Sequence, residues 1–597
     1  MERWRFYMGY SLVAMAGVCV LCTVFESDRS LVNGLVMGKL FWAQRAIPCF
    51  CLAVLLAVWL KGGSRFSFSF ADLALGVFAG VTYLFYDRGL DPEPDKVCFE
   101  GQLLLLWLAL RVALSAYSGL RNFFIIMLLC TGAVEAITGL QQLYGMQSSH
   151  HHLFRLTGSF YNPGPYSGYL AILVPVALSL ALKTRKVLSC FAWLVIGLIL
   201  LVLPAGMSRT AWIAAILSSV WVYWIQKIGI RKSKRWIEEH KKAAMLCAVV
   251  AILLLPVASA GAFLLKKDSA NGRLLLWKIT AKAMMEQPLG GTGLGGFPAA
   301  YARQQAAYFA SGHYAEAEAF VAGTPEYAFN EFLQIGVERG IPALLLFLSF
   351  TGTALYQGIT RRQYGVAGGI GALGVFSLAS YPLQLPEFAI VLLFLSAIAI
   401  TGRQRKGPIH SLFILIPAVI LSAAIYYARQ DMKKHYREWS RAQPLYHNKA
   451  YEAALPRYEA LYPFLKHKPE FLFEAGQCQS KTGQYDKAIV TLKQASLLSA
   501  DPMIHYMIAR NEQQRKNYAE AERTLIHAIN ILPERIYPYY LLVQLYHEPA
   551  FYQEAKLKAA AKAVLTKEPK VLSTAIQEMR KETNKILSEA HLFFSLT

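Results

Sequence analysis

Apolar runs of about 17–25 residues recur between short polar loops over roughly the first 430 positions, long enough to cross ~30 Å of hydrocarbon at 1.5 Å per residue. They fall near 6–25, 40–60, 70–86, 99–117, 122–144, 166–182, 187–203, 207–225, 243–265, 333–357, 364–382, 386–401 and 409–427. The pattern predicts a polytopic helical membrane bundle of about 12–13 transmembrane helices. Two longer polar intervals interrupt it, at 145–165 and 266–331.

Beyond Tyr427 charged and helix-forming residues dominate, with apolar positions at helical spacing. Tyr451-x-x-Ala454, Tyr485-x-x-Ala488, Tyr518-x-x-Ala521 and Tyr552-x-x-Ala555 follow one another at 34, 33 and 34 residues, the tetratricopeptide period. Alanine at a fixed position lets paired helices approach, and the tyrosine fills the space beside them. Pro469 and Pro502 sit at corresponding helix ends, and Gly483 marks a turn. The expected fold class is all-α. A membrane domain over 1–427, carrying a large external loop at 266–331, precedes an α-solenoid of tetratricopeptide helix pairs over 428–597.

Basic residues in short loops set the orientation. Lys61 and Arg65, then Lys183, Arg185 and Lys186, Lys227 through Lys242, Arg361 and Arg362, and Arg403, Arg405 and Lys406 share one face if thirteen spans begin with a cytoplasmic N-terminus. The acidic loop Asp87 to Asp95, the segment 145–165, the loop 266–331 and the repeats then lie outside the cytoplasm. Composition agrees: charged residues are 16%, against about a quarter in soluble proteins. The net charge of +22 is absorbed by these loops, so no nucleic-acid partner is expected. Most of the nine cysteines, Cys19 and Cys22 among them, fall in apolar segments and behave as small hydrophobes. The first apolar run has no small-residue cleavage site and is expected to be a retained helix.

Three polar stretches carry candidate chemistry. In the first, Arg155 to Tyr169, the turn Asn162-Pro163-Gly164-Pro165 precedes an apolar run. It is either a helix start that holds an anion or an ordinary re-entry turn at the membrane surface. In the second, Ser208-Arg209 opens a span. A guanidinium at the hydrocarbon boundary either snorkels or grips a phosphate with its planar fork. The third is the loop 266–331, with Arg273, the run Gly290 to Gly296, His313, Glu326 and Asn330-Glu331. The glycine run lacks the Lys-Ser/Thr ending of a nucleotide loop. His150, His151 and His152 are consecutive, so they read as a solvated loop and no metal site is expected. Arg111, inside the fourth apolar segment, would pair with Glu135 or snorkel inward.

Taken in order, Glu135-Ala136-Ile137-Thr138-Gly139-Leu140-Gln141-Gln142, Thr157-Gly158-Ser159-Phe160-x-Asn162-Pro163, Ser208-Arg209-Thr210-Ala211, Asn271-Gly272-Arg273 with Gln287 to Gly293, and Asn330-Glu331-Phe332-Leu333-Gln334 with Val337 to Gly340 form one series. The series resembles the O-antigen ligase and polymerase superfamily of bacterial envelope enzymes over about 120–420. The resemblance implies a metal-independent, inverting glycosyl transfer without cofactor in the bacterial inner (cytoplasmic) membrane. The donor would be an undecaprenyl-diphosphate glycan, and the acceptor a hydroxyl on a lipid A core sugar, a protein or another glycan. Arg209, Arg273 and Arg155 would bind diphosphate, with Asn162, Ser208 and Asn330 in the donor and acceptor loops.

The chain departs from the family at Phe329, where many ligases have a histidine held to activate the acceptor. A base would come from Glu331, Glu326 or His313; Glu331 equally suits a carboxylate that only complements a helix N-terminus. The repeats would recruit acceptor or partner proteins. A polymerase of the same superfamily, or a non-catalytic envelope scaffold or transporter, are the rival readings.

Overall fold

The computed structural model describes residues 2–85, 94–229, 267–402 and 407–595, with isolated helical positions between 232 and 245. The expected span 243–265, the charges Arg403, Arg405 and Lys406, and nearly all of the acidic loop from Asp87 lie outside the described residues. The fold is all-α. Among the described residues the only strands are Arg65–Phe66 and Ile409–His410, paired antiparallel.

Each expected apolar segment that is described coincides with a helix: α1 Glu2–Leu21, α2 Gly34–Leu60, α3 Phe70–Leu84, α4 Pro94–Ala116, α5 Leu120–Leu143, α6 Pro163–Lys183, α7 Val187–Val202 and α8 Arg209–Lys227. After the loop helices α9 Lys267–Glu286, α10 Phe297–Ala310 and α11 Glu316–Val321 come α12 Glu331–Thr360, α13 Tyr364–Ser377, α14 Pro386–Ile400 and α15 Leu412–Arg429. Seven of the described helical stretches are long and apolar enough to cross a membrane, and four shorter apolar helices accompany them. The protein is a multi-pass membrane protein. Its span α12 is broken at Gly340, whose φ of 81° is outside the helical region, just before Pro342.

By contact the chain divides into two compact units. The first holds the described residues of Met1–Tyr86, Pro94–Gly261 and Phe329–Arg437. The second holds those of Ala262–Ala328 and Glu438–Thr597.

In the first unit, Arg111 on α4 meets neither of the fates expected of it. It is fully buried, and its Nε and Nη2 donate to the two carboxylate oxygens of Asp72, each at 3.0 Å. Its Nη1 donates to Thr401 Oγ1 at 2.9 Å. Asp72 also accepts from Trp107 Nε1 at 2.9 Å and closes the capping box of α3 with Ser69. A guanidinium among apolar helices needs a fork-shaped partner more than a route to solvent, and Asp72 supplies it.

The second unit continues from α16 Met432–His447, which begins in the first, through α17 Tyr451–Leu465, α18 Pro469–Lys481, α19 Tyr485–Ser496, α20 Pro502–Gln514, α21 Tyr518–Ile531, α22 Tyr537–His547, α23 Glu554–Thr566 and α24 Thr574–Ser595. Consecutive helices pack in pairs, as tetratricopeptide repeats do. Ala454, Ala488 and Ala521 are buried at no more than 1% exposure, as the repeat pattern requires. Lys449, Gly483 and Lys516 occupy the same left-handed turn position, with φ of 61°, 80° and 63°.

The fourth repeat slips from the sequence register. Ala555 is exposed, while Leu557, Ala561 and Val564 are buried. The short 3₁₀ turn Pro549–Phe551 comes before α23, so Tyr552 lies ahead of the helix rather than at its start. Leu557 thereby takes the place that alanine holds in the earlier repeats.

Candidate functional site

In the first unit, the Thr157–Asn162 turn is held from α5. Gln142 Oε1 accepts from the backbone N–H groups of Thr157 and Gly158 at 2.9 and 2.8 Å, and its Nε2 donates to Gly158 O at 3.0 Å. The buried Glu135 carboxylate accepts from Ser159 N–H at 3.1 Å and from Ser159 Oγ. Gly158 has φ of 55°, and a Cβ there would lie 2.4 Å from both Glu135 Oε2 and the Tyr166 ring. No other residue fits without displacing that carboxylate.

Asn162 caps α6, its Oδ1 accepting from Gly164 N–H at 3.0 Å. Ser208 is the N-cap of α8 and makes no side-chain cap bond; Arg209 is the first residue of that helix and half-buried. The two motifs meet through small residues. A Cβ on Gly206 would fall 2.0 Å from Ser167 Oγ, so the turn before α8 rests on the first turns of α6. That hydroxyl is fully buried and has no hydrogen-bond partner. Two helix N-termini thus begin beside one another. In the first turn of α6, Pro163 and Pro165 have no N–H, while Gly164 and Tyr166 donate to Asn162. The start of α8, with Arg209, is therefore the one that can present backbone donors.

Asn330 caps α12, accepting from Phe332 and Leu333 N–H at 3.0 and 3.1 Å. The Glu331 carboxylate is 1% exposed and accepts from Leu383 N–H at 2.6 Å and Gln384 Nε2 at 3.1 Å. Phe329 stacks edge-on against Tyr381 at 5.0 Å between ring centres. Its φ of 49° is a left-handed conformation that an aromatic residue rarely adopts. The position where the family's histidine is expected is therefore a sharp corner immediately before the cap.

Arg155 is exposed on the turn between α5 and α6. Nearby, His150 is held below the ordinary imidazole range by burial and by the charges of Arg29 and Lys39. His151 and His152 stack on each other, ring centres 4.9 Å apart. Among the described residues no three histidine, cysteine or acidic side chains converge as metal ligands.

Sequence reasoning missed a buried pair. Lys39 Nζ lies 2.8 Å from Glu387 Oε1, both side chains at most 3% exposed, and 4.1 Å from the centre of the Phe160 ring. The second oxygen of Glu387 is buried without a hydrogen-bond partner. A lysine in one apolar helix and a glutamate in another were the available signal.

Arg273, His313 and Glu326 belong to the second unit. Arg273 is half-buried on α9. His313 and Glu326 are exposed, and His313 Nδ1 lies 2.7 Å from Ser311 O. The loop is braced internally: Lys278 Nζ donates to Tyr308 Oη at 2.7 Å and Glu318 Oε1 at 2.8 Å, and Tyr308 Oη donates to Glu318 Oε2 at 2.6 Å. Partial burial works against the Glu318 charge, but these donors hold its carboxyl below the usual range. Gly291, Gly293 and Gly295 all have positive φ, which makes the glycine run a series of tight turns into α10.

Two family models match. The O-antigen ligase model covers residues 194–348, taking in Ser208-Arg209, Arg273 and Asn330-Glu331. The model for anaphase-promoting complex, cyclosome, subunit 3 covers 447–528, within the repeats. No curated protein matches the sequence. Among solved structures, the crystal structure of the APC/C hetero-tetramer Cut9-Hcn1 contains a chain 11% identical. The match covers 92% of this chain and 90% of that one, with a TM-score of 0.22, too low for a shared fold to be read from it. The chain is thus a multi-pass membrane protein with an O-antigen-ligase-like region and a tetratricopeptide-like C-terminal array.

Proposed function

We propose that this protein is a membrane glycan ligase, moving a glycan from undecaprenyl diphosphate to an acceptor hydroxyl on a lipid A core sugar or a protein. The observation that carries the reading is the junction of α6 and α8 at Ser167 and Gly206, next to Arg209 in the stretch that the O-antigen ligase model matches. It fixes the N-terminus of α8 and Arg209 against α6, donors that suit a diphosphate.

In the transfer the bond from the sugar's anomeric carbon to the phosphate oxygen breaks, and the diphosphate leaves with the electron pair. The acceptor oxygen bonds to that carbon from the opposite face and gives its proton to a base. Charge builds on the leaving diphosphate, so an arginine that binds it stabilises the transition state more than the ground state; Arg209, Arg273 and Arg155 are the candidates. Glu331 is the base in this reading, oriented by Leu383 and Gln384; Glu326 and His313 are the alternatives. The reaction and the repeats lie on the periplasmic face of the inner membrane.

The test is transfer from a purified lipid-diphosphate glycan. Arg209→Ala and Arg273→Ala are each expected to lower the rate by about 10²–10³-fold with insertion unchanged. Normal rates in both would end the diphosphate model. A normal rate for Glu331→Gln would pass the base to Glu326 or His313. Phe329 favours one other reading, a non-catalytic scaffold, in which all of these variants would be silent.

A further inference from the structure

The loop helices and the repeats belong to one compact unit, and one buried side chain ties them together. Helix α10 packs along α21. Gln305, on α10, is fully buried, and its Nε2 donates to two carbonyls: Gly323 O at 3.0 Å, just past α11, and Ile531 O at 2.7 Å, at the end of α21. Ile531 O is one of the four terminal carbonyls that a helix cannot satisfy by itself. Its donor comes from the loop.

The amide oxygen of Gln305 is buried without a partner. An apolar residue of the same size would avoid stranding that oxygen but would take the donor away from Gly323 O and Ile531 O, so the role of the amide lies in its N–H groups. A second bridge runs from Lys570 Nζ to Ala322 O at 3.0 Å. Beside it a cavity of about 340 Å³ is lined by Ala319 and Ala322 from the loop and by Leu532, Tyr537 and Met579 from the repeats. Inside the loop, the Lys278–Tyr308–Glu318 triad braces α9, α10 and α11, and Trp277 Nε1 donates to Ala328 O at 3.2 Å. The triad thus links α10 to α9, which holds Arg273.

We propose that the repeat array is the seat of the loop, and that Gln305 is the positioning residue that registers α10 on α21. That face of α21 is occupied by this chain and is closed to an external partner. The consequence for glycan transfer rests on the ligase reading above; the seat itself does not.

The experiment measures amide hydrogen exchange and glycan transfer on the full chain, in wild type, Gln305→Glu and Gln305→Met. The glutamate sets a carboxylate against two carbonyl oxygens; the methionine keeps the volume and removes both donations. Exchange over 297–323 is expected to quicken at least about tenfold in Gln305→Glu and less in Gln305→Met, with 451–496 unchanged in both. Transfer should fall by a similar factor in kcat, with KM for the donor nearly constant.

Unchanged loop protection in Gln305→Glu would overturn the seat. Lost protection with normal transfer would overturn the positioning role and leave the ligase reading standing. Loop protection that responds as expected, in a wild-type protein that transfers no glycan, would support the seat and overturn the ligase reading. If Gln305→Glu does not fold, Lys570→Met removes the second bridge between loop and repeats from an exposed position, with faster exchange expected over 316–323 and no change there overturning the seat.

Discussion

In the first unit the Arg111–Asp72 pair has both side chains at 0% exposure, whereas in the repeats the Arg523–Glu520 and Lys558–Glu554 pairs stand on open helix faces. Apolar residues run the other way. Leu201, Ile216 and Val220 are 60% exposed or more in the first unit, while Ala488, Leu492, Ala521 and Leu525 are at most 2% exposed in the repeats. The helices of the first unit hold ion pairs inside and turn apolar side chains outward; the repeats set ion pairs on open faces and pack apolar side chains inside. An ion pair of the same chemistry therefore has different consequences in the two places. Buried, its loss strands a charge; exposed, its loss returns both groups to water.

The largest effect that could break this contrast is Arg111→Ala, which leaves Asp72 buried and unpaired. It is expected to lower stability by about 3–5 kcal/mol, read as loss of folded protein in detergent melts. Arg111→Met combined with Asp72→Leu should recover part of that loss, since no charge is then stranded although Trp107 Nε1 and the α3 cap lose their acceptor.

The repeats hide a smaller electrostatic demand. Burial, then the neighbouring His527, holds His505 down from 6.5 to about 4. The unfolded chain takes up a proton near 6.5 and the folded one only near 4, so this contribution is complete above 6.5 and lost as pH falls between the two values. The repeats should lose on the order of 2–3 kcal/mol over that window, and His505→Leu should flatten the pH dependence of the melting temperature.

Packing gives the next step down. Ala521→Leu overfills a closed helix contact and should destabilise the repeats by about 1–3 kcal/mol. Ala555→Leu, at the matching sequence position of the fourth repeat but exposed, should change stability by no more than about 0.5 kcal/mol in chemical denaturation. Equal effects would show that the register slip at Pro549–Phe551 is absent in solution. Smallest of all is Glu554→Ala, which removes an exposed pair and should move the melt by about 0.5 kcal/mol or less.

The spans were legible because crossing hydrocarbon imposes a length and composition on each segment separately, so α1 to α8 and α12 to α15 appear where the apolar runs stand. Three repeats were legible for a related reason, a short motif copied at fixed spacing. The fourth was misread because Tyr552 and Ala555 keep the spacing while the inserted turn changes which residues face inward. At the candidate site, the turns at Asn162, Ser208 and Asn330 could be read from cap-forming residues. Glu387 as the partner of Lys39 could not, since 348 residues separate them.

From sequence alone came the apolar spans, the helical repeats and the ordered ligase motifs, because each is written in residues close together along the chain. Tertiary structure decided which carboxylate Arg111 meets, that Ser167 and Gly206 join two helix starts, and that Gln305 reaches Ile531 across 226 residues. Those contacts depend on how distant segments fold back, and a buried polar atom takes whichever partner the packing delivers.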